Sequence, residues 1–169
     1  MSKKINLILN FKRIIIGVPL KNDLGDNNCF LNVLIHTLYN ITPFYDYLMK
    51  EKFNNEQTFF IELKKLFVKY DRKFKLKSYP NEEPLDPYEF RRELANLYRR
   101  EGKFRLKRME DPIEALLAIN NAIHSYSIGL NSLKECDKPC NPQCIAHKLF
   151  WINIYEQEVI TIDISHILT

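Results

Sequence analysis

Apolar residues recur at helical spacing along much of this 169-residue chain. From Cys29 onward, Phe30, Leu34 and Leu38 fall on one face, with Leu31 and Ile35 beside them. That spacing predicts a helix starting at Cys29, with Asn28 as its N-cap. Between Glu56 and Arg72, the residues Phe59, Phe60, Leu63, Leu66, Phe67 and Tyr70 form a wide apolar stripe and predict a second helix. Two further helix starts share one pattern, Asp86-Pro87-Tyr88-Glu89 and Asp111-Pro112-Ile113-Glu114. Asp can cap free amides, Pro suits the first helical position, and Glu can bond back to the cap. Helices are therefore expected from about Pro87 to Arg100 and from about Pro112 to Tyr126, with Gly102 and Gly129 as stops.

The two ends of the chain read differently. Residues 5–18 are rich in Ile, Leu and Val, and residues 1–16 are expected to form an N-terminal extended segment. Residues 17–28 gather Gly, Pro, Asn and Asp and read as loop. Near the other end, residues 148–164 read as strand, first Leu149 to Tyr155 and then Val159 to Ile164. Helices first and strands last indicate an α+β fold. The last strand runs almost to Thr169, so the sheet is expected to continue in sequence beyond it.

Composition narrows the class. Apolar residues at 46% and charged residues at 27% suit a globular domain with a real core, and only 4 glycines argue against a sandwich of tight turns. The net charge of +4 is mild. It sits on the predicted amphipathic helices, where a solvated face explains it, so nucleic acid is not the expected partner. No run approaches a membrane-spanning length, and no secretory signal is visible. The expected compartment is intracellular and reducing, cytoplasmic or nuclear. The four cysteines there read as catalytic or metal-binding and not as a disulfide framework.

Cys29 carries the chemistry. A cysteine in the first turn of a helix faces free amides and the positive end of the helix dipole, which favours thiolate. The same amides can stabilise charge on a substrate carbonyl oxygen, and a polar loop just before leaves room for substrate. An inert cysteine at a helix start is the plainer alternative; the surrounding window argues against it. Pro19-Leu20-Lys21-Asn22, then Asp23 to Asn28, then Cys29-Phe30-Leu31-Asn32 resembles the Cys box of the ubiquitin-specific proteases. Its loop is two residues longer than in most of the family. It is similar in this to a divergent branch that includes vertebrate junction-associated and large plant members. Met109-Glu110-Asp111-Pro112-Ile113-Glu114 resembles the family's Gln-Gln-Asp-Ala-x-Glu segment at Asp111 and Glu114, without the glutamines and the alanine. Cys144-Ile145-Ala146-His147, with Phe150 and Glu156-Gln157, is similar to the Cys-Ile-x-His…Phe…Glu-Gln segment of that branch.

The resemblance implies a papain-like α+β fold, with residues 17–169 forming the helical subdomain and the beginning of its antiparallel sheet. It implies a deubiquitinating cysteine protease that needs no cofactor for catalysis, and ubiquitin or ubiquitinated proteins as partners. Cys29 matches the nucleophile and Asn22 the asparagine that helps hold the oxyanion; Asn22 read alone could equally be a turn residue capping its own loop. Asn32 is expected to bond structurally near the site, and Asp111 and Glu114 to cap a helix.

The family's histidine base comes from a C-terminal segment that nothing here resembles. His36 lies two turns down the helix from Cys29, about 10 Å away at 1.5 Å per residue. His124 falls late in a helix and His147 in a Cys-rich turn. His166, with Asp163 close by, is the one position where a base could stand, and no motif supports it. The chain therefore reads as the front part of the domain, with little or no turnover. A non-catalytic ubiquitin- or protein-binding scaffold is the alternative. Separately, Cys136, Cys140, Cys144 and His147 offer four ligands for a structural zinc ion within twelve residues, although the spacing is not a usual zinc one and ordinary thiols remain open. A zinc-stabilised nucleic-acid binder is a third reading.

Overall fold

The computed structural model describes residues 17–76, 83–129, 133 and 140–150. Among these residues six α-helices form around one core: α1 (Cys29–Asn40), α2 (Thr42–Lys50), α3 (Thr58–Leu76), α4 (Tyr88–Leu97), α5 (Pro112–Ser127) and α6 (Ile145–Phe150). None of the described helices is long and apolar enough to cross a membrane.

The apolar stripes do what their spacing requires. On α1, Phe30, Leu31, Leu34, Ile35 and Leu38 are all buried, joined by Tyr39. Each such side chain contributes about 1.5–3 kcal/mol when taken fully out of water. On α3 the six stripe residues are likewise buried. That helix starts two residues later than the spacing predicts and runs four residues further, to Leu76. It packs against α4 through contacts such as Phe59 on Phe90, with ring centroids 5.2 Å apart. Helix α5 packs against both α1 and α6.

The helix ends differ in how closely they follow expectation. Asp111 accepts hydrogen bonds from the N–H groups of Ile113 (2.6 Å) and Glu114 (3.0 Å), as its sequence pattern predicts. Asp86 accepts from Tyr88 N–H at 2.8 Å, and α4 then ends at Leu97, passing into a single 3-10 turn, Arg99–Glu101. Gly102 and Gly129 follow with left-handed φ of 68° and 69°, closing their helices. Asn28, expected to cap α1, makes no side-chain cap bond.

Two elements depart from the sequence reading. Helix α2 was not anticipated; Phe44 and Leu48, one turn apart, bury its inner face, and Pro43 stands in its first turn. Lys148, Leu149 and Phe150, read as the beginning of a strand, are helical instead and belong to α6. A short apolar run suits either structure, and here backbone bonds such as Lys148 N–H to Cys144 O at 3.0 Å close helical turns. The remaining strand residues and the 1–16 segment lie outside the described residues. Among the described residues the sole β-pairing is an isolated parallel bridge between Leu20 and Leu85. It is made by Lys21 N–H to Leu85 O (2.8 Å) and Leu85 N–H to Pro19 O (2.9 Å). The bridge holds the loop before α1 against the segment leading into α4.

Candidate functional site

The loop from residue 17 to residue 28 is pinned along its whole length. At its start, Val18 N–H donates to the Tyr70 hydroxyl at 2.9 Å, and that hydroxyl lies 2.9 Å from His36 Nδ1. Asn32, one turn into α1, donates from Nδ2 to the carbonyls of Leu20 (3.4 Å) and Lys21 (3.3 Å), the structural bonding its position suggested. Asp26 N–H bonds Asp23 O at 2.9 Å and Asp26 Oδ2 accepts from Asp23 N–H at 3.1 Å, closing a tight turn. Gly25 within it has φ 88°, and Asn27 takes the left-handed region at φ 53°. Asn tolerates that backbone better than most side chains do. Its Nδ2 donates to Lys107 O at 3.0 Å.

Cys29 opens α1 directly after this loop, and its side chain is exposed. Asn22 Oδ1 accepts from Asn28 N–H at 2.7 Å, one residue before the thiol. That bond fixes which way the amide faces: Oδ1 is held on the main chain, and Nδ2 is the end turned away from Asn28. The thiol and the Asn22 amide are thus brought to the same stretch of loop, at the mouth of a helix.

Beneath the loop lies a residue that the sequence reading did not single out. Arg91 on α4 is 2% exposed. Its Nη1 donates to Asp26 O (3.0 Å), Asn27 O (2.7 Å) and Asn28 Oδ1 (2.6 Å). Its Nη2 donates to Arg105 O (2.9 Å) and Arg108 O (2.5 Å). The guanidinium carbon sits 5.1 Å from the Phe30 ring centroid. Burial lowers the pKa of Arg91, while the charges of Glu110, Asp26 and Cys29 act the other way. A guanidinium remains a cation regardless, and its planar fork suits carbonyls on two sides. In sequence it is one of many arginines on a predicted amphipathic helix, so only the fold identifies it.

The described histidines do not approach Cys29 as a base would. His36 faces Tyr70, and burial lowers its pKa from 6.5. His124 and His147 stand together elsewhere, their rings edge to face with centroids 4.9 Å apart. His166 lies outside the described residues.

Those two histidines belong to a second cluster. His124, Cys140, Cys144 and His147 each turn one ligand atom toward the others, all within 4.8 Å, an arrangement that could hold a metal ion. Three of these residues are among the four that the sequence proposed. Cys136 lies outside the described residues, and His124 was read only as a late helical residue. Nothing local to His124 marks it; its partners come from beyond the end of α5. Burial pushes the Cys144 thiol up from its ordinary range. Asp111 and Glu114 sit at the start of α5, where Asp111 caps as expected.

A family model described as ubiquitin carboxyl-terminal hydrolase matches residues 20–162. Ubiquitin carboxyl-terminal hydrolase 53 of Homo sapiens is 26% identical over 141 residues, which is 82% of this chain and 12% of that protein. Ubiquitin carboxyl-terminal hydrolase 54 of Rattus norvegicus is 28% identical over 145 residues, 84% of this chain and 8% of that protein. The chain spans a small part of the length of either relative. With most of its residues matched by the family model, this chain belongs to the ubiquitin carboxyl-terminal hydrolase family.

Proposed function

We propose that residues 17–169 form part of a papain-like, α+β deubiquitinating domain of the ubiquitin-specific protease type, and that Cys29 is its nucleophile. The carrying observation is the pairing of an exposed thiol at the start of α1 with Asn22, whose Oδ1 is held by Asn28 N–H at 2.7 Å. Cys29 Sγ attacks the carbonyl carbon at the C-terminus of ubiquitin, and Asn22 Nδ2 donates to the oxyanion that forms. A base that takes the Cys29 proton returns it, as the conjugate acid, to the leaving lysine amine, and water then splits the thioester. Exposed Leu24 and Met109 flank the two loops that Arg91 joins and offer apolar contact to a protein substrate. The chemistry needs no cofactor, and a metal ion carried by the chain is structural on this reading. An intracellular, reducing compartment suits a free catalytic thiol.

A non-catalytic, ubiquitin-binding scaffold is the second reading. It is favoured by one observation: His36 and the His124–His147 pair are engaged away from the thiol.

Ubiquitin carrying a C-terminal thiol-reactive electrophile separates the two. The expected result is an adduct on Cys29, located by peptide mass spectrometry and absent from Cys29→Ala. Failure to form it, while a small alkylating agent still labels Cys29 and ubiquitin still binds, would favour the scaffold. Release of a fluorophore from the ubiquitin C-terminus is expected to be slow, because a thiol without its base is a poor nucleophile. A robust Cys29-dependent rate would show that a base is supplied after all.

A further inference from the structure

The four residues His124, Cys140, Cys144 and His147 come from three places in the chain. His124 lies in the last turn of α5, Cys140 in the segment before α6, and Cys144 and His147 at the entrance and first turn of α6. Cys144 and His147 are three apart, so one helical turn sets their ligand atoms on the same side. The separations between ligand atoms are short. His147 Nδ1 is 3.2 Å from both Cys140 Sγ and Cys144 Sγ, and His124 Nδ1 is 3.9 Å from Cys144 Sγ. Around a tetrahedral zinc ion with S and N ligands, the ligand atoms stand about 3.3–3.8 Å from one another. These three values lie close to that range, and all four ligand atoms stand within 4.8 Å of one another, so small side-chain shifts would close them on an ion. Three of the four residues are buried and Cys140 is half-buried.

A thiol beside an imidazole is also the machinery of a nucleophile. Burial argues against that use for Cys144 and His147, which are 8% and 3% exposed. Two thiols and two imidazoles converging within 4.8 Å of one another favour zinc over the harder, oxygen-seeking cations. Four protein ligands in a buried position leave no open coordination site, which makes the ion structural and not catalytic. Cys140 Sγ also accepts from Cys144 N–H at 3.1 Å, a bond that would spread the charge of a metal-bound thiolate.

We propose that His124, Cys140, Cys144 and His147 bind one zinc ion and that His124, not Cys136, completes the tetrahedron. The ion ties the end of α5 to the start of α6. Since α5 also packs on α1, the bond braces the neighbour of the helix that Cys29 opens. The proposal stands on these four residues and is independent of whether Cys29 is active.

Metal content and cobalt(II) substitution of the full chain test it. The wild type is expected to hold one zinc equivalent. Its cobalt form should show the intense visible bands of tetrahedral coordination with a thiolate charge-transfer band in the near ultraviolet. His124→Ala is expected to weaken zinc binding by more than about 100-fold, beyond the loss of an outer-shell partner. Cys136→Ser is expected to keep the wild-type stoichiometry and spectrum. His124→Cys retains a ligand, so it should still bind cobalt and should intensify the thiolate band. If His124 merely packs there, His124→Cys leaves the spectrum unchanged and the assignment falls. A chain that purifies without zinc and gives no tetrahedral cobalt spectrum overturns the site. A loss in Cys136→Ser equal to that in His124→Ala overturns the ligand set.

Discussion

Arg91 donates from Nη1 to Asn28 Oδ1 at 2.6 Å, and this bond displaces the cap that Asn28 would otherwise supply to α1. The same guanidinium binds backbone carbonyls at Asp26, Asn27, Arg105 and Arg108. No carboxylate pairs with it among those bonds; a buried cation is compensated by main-chain dipoles on two loops. Its Nε is buried without a hydrogen-bond partner, so the compensation falls on the two terminal nitrogens.

Removing that cation should be costly. Arg91→Met leaves four partly buried carbonyls without this donor, each worth up to about 1–3 kcal/mol when stranded and partly relieved by water. We expect a loss of about 2–5 kcal/mol in urea unfolding, as for other broken buried charge networks. Arg91→Lys should recover little, because one ammonium cannot span both sets of carbonyls. An unchanged midpoint in Arg91→Met would show that the clamp carries no stability.

Asn22 has two candidate roles that kinetics can part. As an oxyanion donor, its replacement by Ala should slow cleavage of a ubiquitin thioester by about 10²–10³. Alkylation of Cys29 by iodoacetamide forms no oxyanion and should stay near the wild-type rate. Equal slowing of both reactions would mean that Asn22 acts only by holding Asn28 N–H and the loop.

His36 should make stability depend on pH. Its folded pKa lies below the 6.5 of the free side chain because burial disfavours the cation. The bond pattern agrees: the Tyr70 oxygen accepts from Val18 N–H and can donate its proton to a neutral His36 Nδ1. The unfolded chain therefore takes the proton first as pH falls. The contribution is complete above pH 6.5 and is lost as pH drops through 6.5 toward the lower folded value. Urea midpoints should fall more steeply on acidification in wild type than in His36→Gln. Parallel curves for the two proteins would refute this.

The cap on α5 offers a milder case. Asp111→Ala removes the acceptor for Ile113 and Glu114 N–H and should cost about 0.5–2 kcal/mol in thermal or urea unfolding. Asp111→Asn should cost much less, since Asn caps almost as well. A similar loss in both variants would point to the charge and not to the hydrogen bonds.

The features legible in sequence are those that local spacing encodes. The buried faces of α1 and α3, the Asp111 cap and the two glycine stops each follow from residues within one or two turns. Helix α2 escaped because Ile41, Thr42 and several aromatics mask its propensity, although Phe44 and Leu48 carry the period. Leu149 and Phe150 read as strand because a short apolar run has no period of its own. Within the candidate site, Cys29 and Asn22 were proposed from the sequence because they sit in one window. Arg91 and His124 were not, because their partners lie far along the chain and become neighbours only on folding.

The order in which the chain is made has a consequence for the loop before Cys29. Asp26 and Arg91 are 65 positions apart, and Arg91 then reaches 17 further to Arg108. The isolated bridge at Leu20 likewise waits for Leu85. Helix α1 and its thiol therefore leave the ribosome well before the residues that shape their surroundings. The helix needs only local contacts, so it can form before its setting. Until residues near 108 have emerged, the nascent chain carries Cys29 beside a loop that still lacks the Arg91 bonds that hold it.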